Sequence, residues 1–102
     1  MKNKVSGVLA VAGLFVIGAS TAFAYTGEKY AKQAKITMPE ARVIALQACP
    51  GRITDEELER EKGGTGLRYS FDVRIDRVTH EVGVDAGTGA VLENDKEGPN
   101  PD

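Results

Sequence analysis

The stretch Leu67-Arg68-Tyr69-Ser70-Phe71-Asp72-Val73-Arg74-Ile75-Asp76 decides the fold. Its odd positions are apolar or aromatic and its even positions polar, a period of two held along the whole run. Successive side chains of a strand leave opposite faces, so one face belongs to a core and the other to solvent. The following run, Val78-Thr79-His80-Glu81-Val82-Gly83-Val84-Asp85, repeats the alternation with Val78, His80, Val82 and Val84 on one face. Asp85-Ala86-Gly87-Thr88-Gly89 supplies the glycines of a tight turn. Ala90-Val91-Leu92-Glu93 then opens a last short strand.

Upstream, Thr37-Met38-Pro39-Glu40 is a capping box. The Thr37 hydroxyl can accept from the backbone N–H of Glu40 while the Glu40 carboxylate accepts from that of Thr37. Pro39 falls in the first turn, where its missing N–H costs nothing. Ala41, Ile44, Ala45, Ala48 and Cys49 follow the spacing of one buried helical stripe, and Pro50-Gly51 ends it. For Arg52 to Lys62 local chemistry predicts a second helix. Thr54-Asp55-Glu56-Glu57 has a capping pattern, Lys62 lies near the end and Gly63-Gly64 stops it. One strand of the sheet is otherwise missing, so tertiary context competes with that reading. The fold class is α+β, one N-terminal helix packed on a small antiparallel β-meander of three to four strands.

The ends of the chain read differently. Lys2 and Lys4 precede an apolar run from Val5 to Ala19, and Ala22-Phe23-Ala24 offers the small residues of a signal-peptidase site. Residues 1–24 are therefore expected to be a cleavable signal peptide, cut between Ala24 and Tyr25. The apolar run is shorter than the ~20 residues needed to span a bilayer. Residues 25–35 read as a flexible leader, 36–94 as the folded domain and 95–102 as a disordered polar tail.

Removing Lys2 and Lys4 from the 13 basic residues leaves 11 against 15 acidic ones, a net charge of about −4. That balance argues against nucleic acid as a partner and against adsorption to anionic lipid. Cys49 is the only cysteine, so no internal disulfide staples the domain. A domain this small is marginal alone, which leaves room for a protein partner or a homo-oligomer.

Several of these features stand in the order of a known family. The helix from Ile36-Thr37 to Ala48, Pro50-Gly51, the acidic Leu58-Glu59-Arg60-Glu61 and the alternating strand lead to Val84-Asp85-Ala86-Gly87-Thr88-Gly89-Ala90-Val91-Leu92. The chain resembles the PepSY domain family over about Ile36 to Glu93, with the pattern from Asp85 to Leu92 its most specific part. The resemblance implies that the segment matching Arg52 to Glu61 pairs as a strand. Asp55-Glu56-Glu57 departs from the family's usual alternation, so that strand would be poorly buried and at an edge, where charge discourages unwanted pairing. It also implies binding to peptidases and their inhibition, with no catalytic residue to carry over.

The residues that could do chemistry are few. His80 is the only histidine, without a second to share a metal, and reads as a packed or rim residue. Cys49 lies on the buried stripe and reads as a small core residue, an intermolecular disulfide being the alternative that export would permit. Asp55, Glu56, Glu57, Glu59 and Glu61 lack the spacing of a calcium loop. They read as a solvated face or as a docking surface for a basic partner, with Glu57, Glu59 and Glu61 the candidate interaction residues. Ser70 has no acid–base partner in view, and the glycine clusters lack the lysine of a phosphate loop. No catalytic residue, metal or cofactor is expected. The expected function is a non-enzymatic, periplasmic or secreted interaction module that binds and regulates a peptidase or another envelope protein. No stable membrane insertion is expected after cleavage. The alternative is an envelope domain that senses a small ligand or metal.

Overall fold

A computed structural model describes residues 24–97. The signal peptide read at residues 1–24 lies outside the described residues except for Ala24, as do the last five residues of the tail. A 3-10 helix spans Glu28–Gln33, and α1 spans Met38–Ala48. Strands β1 (Arg52–Arg60), β2 (Leu67–Ile75), β3 (Val78–Asp85) and β4 (Val91–Lys96) follow. They form one antiparallel sheet in the order β1-β2-β3-β4, with α1 on one face.

Helix α1 starts where its capping box demands. Glu40 N donates to Thr37 Oγ1 at 3.2 Å and Thr37 N to Glu40 Oε1 at 2.8 Å. Met38, Ala41, Ala45 and the C-cap Cys49 are buried, while Ile44 and Ala48 are half-buried at the flank. They meet Leu58 of β1, Leu67, Tyr69, Phe71 and Val73 of β2, and Val82 and Val84 of β3. Full burial of a side chain such as Phe71 or Val82 contributes about 1.5–3 kcal/mol, so these side chains supply most of what holds the helix to the sheet. Tyr69 crosses the core to donate its hydroxyl to Ile36 O at 2.8 Å, and burial pushes its phenol pKa up to about 12.

The β2–β3 hairpin turns on Asp76-Arg77, with Asp76 in the left-handed region at φ 57°. Aspartate tolerates that conformation better than most residues. Residues 52–60 form a strand, not the helix that local chemistry predicts. The pairing of Leu58 with Tyr69 puts Leu58 in the core at 1 % exposure, a burial that a local helix does not offer. β1 lies at the sheet's edge with Leu58 its one fully buried residue, as the family resemblance implies.

Two readings of the termini need correction. Residues 25–35 are not a flexible leader but carry the 3-10 helix, and Tyr25 and Tyr30 pack against the core. Thr26 bridges β1 in parallel, its carbonyl accepting from Leu58 N at 2.9 Å. Gly27 makes the turn at φ 87°, where an added Cβ would lie 1.6 Å from Leu58 O. At the other end Asp95 and Lys96, read as tail, belong to β4, paired with Glu81 and His80. Edge pairing orders these polar residues without burying them.

Candidate functional site

The sheet face away from α1 is where the chain's acidic residues collect. The register places Asp55, Asp72, Glu81 and Asp95 in one row across all four strands. Glu57, Ser70, Gly83 and Glu93 form the next row, and Glu59, Arg68 and Asp85 the third. Directly paired side chains have Cβ atoms ~4.5–5.5 Å apart, and like charges there repel. Most of this face is half-buried by its own side chains, unlike the wet surface that simple alternation suggests.

The electrostatics follow from that crowding. Burial raises the Glu57 carboxyl, with Glu59 and Asp55 adding repulsion. Burial followed by Asp55 raises Asp72. Burial, Glu93, Glu97 and Asp72 raise Glu81. Glu93 is raised by burial too, although Arg68 pulls against the shift.

Arg68 is the cation at the centre. Its side chain is only 11 % exposed, with Nη1 3.6 Å from Glu61 Oε2 and 3.5 Å from Glu93 Oε1. Nη2 donates to Lys62 O at 3.1 Å, and the buried Nε has no partner. The side chain lies across Gly83, where a Cβ would stand 2.9 Å from Arg68 Cδ. Glycine at 83 therefore opens the channel in which Arg68 rests.

At the end of the third row Asp85 is fully buried. Its carboxylate accepts from the backbone N–H groups of Thr65, Gly87 and Thr88 and from both threonine hydroxyls, at 2.8–3.1 Å. Burial alone would raise its pKa. The bonds from Thr65 and Thr88 outweigh that and hold it below the usual carboxylate range. This is a structural knot tying the β1–β2 loop to the β3–β4 turn, and it gives Asp85-Ala86-Gly87-Thr88 a physical meaning.

The candidates from sequence fall as follows. Glu57 and Glu59 lie half-buried on this face, with Glu59 Oε2 accepting from Ser70 Oγ at 2.7 Å. Glu61 is exposed beyond the end of β1, linked to the face only through Arg68. Glu56 points to the helix side and holds Arg42 of α1 in a two-pronged ion pair at 2.8 and 2.7 Å. His80 shares its side of the sheet with Val82 and Val84, opposite the carboxylates. Cys49 is buried, which raises its thiol pKa. Among the described residues no three of His, Cys, Asp and Glu are grouped to hold a metal, and no helix is long and apolar enough to cross a membrane. Sequence reasoning missed Asp72, Glu81, Glu93 and Asp95 as parts of this face. The two-residue hairpin at Asp76-Arg77 carried the signal for half of it, since it alone sets Asp72 opposite Glu81.

A family model described as peptidase propeptide and YPEB domain, PepSY, matches residues 35–95. No curated protein and no solved structure matches the chain. The matched span takes in α1, the acidic rows and the Asp85 knot.

Proposed function

The chain belongs to the PepSY family, and we propose that it is a non-enzymatic module, exported to the periplasm or medium, that binds and regulates a peptidase. The observation that carries this reading is the row Asp55, Asp72, Glu81 and Asp95, where four carboxylates repel one another across the sheet. Repulsion of this kind lowers the stability of the free domain and is relieved by a partner that brings positive charge. The fitting partner is a peptidase with a Lys- or Arg-rich patch, steered by the field of this face.

The sheet offers a second point of attachment beside the charges. Thr26 already bridges β1, whereas no described strand pairs with the outer side of β4. An extended segment of the partner can add there by main-chain hydrogen bonds. Glu93, Asp95 and Lys96 keep that edge from pairing indiscriminately. The sensing alternative has less support, because His80 and the carboxylates lie on opposite sides of the sheet.

The test is titration of the processed protein into a purified peptidase exported by the same cell, with peptide hydrolysis and calorimetry as readouts. Tight binding that weakens in high salt, and weakens at least tenfold when Asp55, Glu81 and Asp95 of that row are all replaced by Lys, is the expected result. Affinity untouched by that triple reversal would remove the acidic face from the interface.

A further inference from the structure

The backbone of β4 has an inner and an outer side, and the register separates them. Glu97 N donates to Thr79 O at 2.9 Å, and inward and outward bonding alternate along an antiparallel strand. Glu93 and Asp95 therefore bond to β3, while Asn94 and Lys96 turn their N–H and C=O groups outward. Among the described residues nothing takes up those outward groups. The Asn94 side chain donates to Ala48 O at 3.2 Å and ties this edge to the end of α1.

The side chains along the edge are sorted as well. Glu93 and Asp95 stand on the acidic face, Asn94 and Lys96 on the helix face. Arg68 reaches Glu93 at 3.5 Å from within the sheet, whereas Asp95 has no ion-pair partner among the described residues. Val91 and Leu92 are 42 % and 37 % exposed and leave an apolar step where the strand begins.

A second copy of the chain does not fit this edge. Two β4 strands related by a two-fold axis pair antiparallel, and paired side chains share a face. Centred on Asn94, Asp95 or Lys96, the pairing sets Asp95 against Glu93, a second Asp95 or Glu97. Every register adds a carboxylate to rows that already repel.

We infer that the outer edge of β4 takes an extended segment with Lys or Arg at alternate positions, opposite Asp95 and Glu93, and an apolar residue beyond them against Val91. The inference deepens the proposed function and rests on it for the source of the segment, a partner peptidase. In an antiparallel addition the pairs at Asn94 and Lys96 carry the main-chain bonds. The pair at Asp95 lies between them, where opposed side chains come closest. A cation there gives the row Asp55, Asp72, Glu81 and Asp95 its first positive member. A cation one position along would face Lys96 instead, so the edge reads alternation and not total charge.

The test uses the exported protein and three capped peptides, with calorimetry and the amide spectrum as readouts. The first peptide has lysine at every second position and ends in valine. The second has the same residues with the lysines side by side. The third is the first with the backbone nitrogens between its lysines methylated. The alternating peptide should bind about tenfold tighter than either of the others. It should also protect the amides of Asn94 and Lys96 from exchange and leave those of β1 unchanged. Lys96→Pro removes an outward N–H that no described strand uses, and should weaken the alternating peptide about tenfold although it also removes a repelling cation. Asp95→Lys leaves the backbone intact and should weaken it by a similar factor, so a fold lost in one variant does not remove the test. Equal binding of the three peptides, or protection at β1 in place of β4, overturns the inference. A peptidase that binds the protein but is indifferent to Lys96→Pro and Asp95→Lys overturns this inference alone. Selective peptide binding at β4 without any binding of a peptidase supports the edge site and overturns the proposed function.

Discussion

Asp85 binds Thr65 twice through one oxygen: Oδ1 accepts from the Thr65 backbone N–H at 2.8 Å and from its hydroxyl at 3.0 Å. Thr65 sits in the β1–β2 loop and Asp85 at the end of β3, and no hydrophobic contact is needed to join them. A charged acceptor surrounded by donors gives stronger bonds than a neutral one, and losing it strands every donor at once.

Asp85→Ala is therefore expected to cost about 3 kcal/mol in urea unfolding, since the amides of Thr65, Gly87 and Thr88 all lose their acceptor. Thr88→Val removes one hydroxyl and keeps the rest of the knot, and is expected to cost about 1 kcal/mol. Equal losses for the two would mean that Asp85 is not the centre of the network.

Stability should depend on pH in two opposite ways. Glu57, Asp72, Glu81 and Glu93 titrate above their usual values in the folded state. The native chain then binds protons more readily than the unfolded one. Stability falls as pH rises through that window, and the penalty is complete at neutrality. Asp85 is shifted downwards from 3.8, so its contribution is whole above that value and is lost as pH falls through the lower folded one. Melting should therefore peak on the acid side of neutrality rather than at pH 7. Glu81→Lys, between Asp72 and Asp95, should flatten the neutral limb and stabilise the free domain by about 0.5 kcal/mol at pH 7. A melting temperature that rises steadily from pH 5 to 7 would contradict the repulsion.

Gly83→Ala would put a methyl 2.9 Å from Arg68 Cδ and push the guanidinium off the sheet. Arg68 can move, so the expected cost is about 1 kcal/mol. The same change made beside Arg68→Ala should cost much less, because the clash is then gone. A double-mutant cycle in urea reads the coupling directly, and additive losses would show that Gly83 serves something other than the passage of Arg68.

How much was legible in the residues differs from element to element. Helix α1 was, because Thr37, Pro39 and Glu40 cap it through neighbours three positions away. β2 and β3 were, because their alternation is local and Asp76-Arg77 sets their register. β1 was not, since Thr54 to Glu57 carries helical start signals, and only the resemblance to a family pointed the other way. Part of the acidic face was not, because bulges beside Ile53 and Gly83 set the registers of β1 and β4. Asp85 read as the start of a glycine turn and of the family's most specific pattern, but its burial and its bonds to Thr65 depend on a loop twenty residues away.

The sequence by itself determined the elements whose reasons are near neighbours: the capped helix, the alternating hairpin and the glycine turns. Only the tertiary structure decided that residues 52–60 extend, that Tyr25 and Thr26 join the sheet, and that Asp85 is buried and satisfied. Each of those outcomes depends on a partner distant in sequence: Leu58 on Tyr69, Thr26 on Leu58, Asp85 on Thr65. Closing such a contact costs chain entropy that local propensity does not register, and the burial and hydrogen bonds that offset it exist only once the sheet has formed.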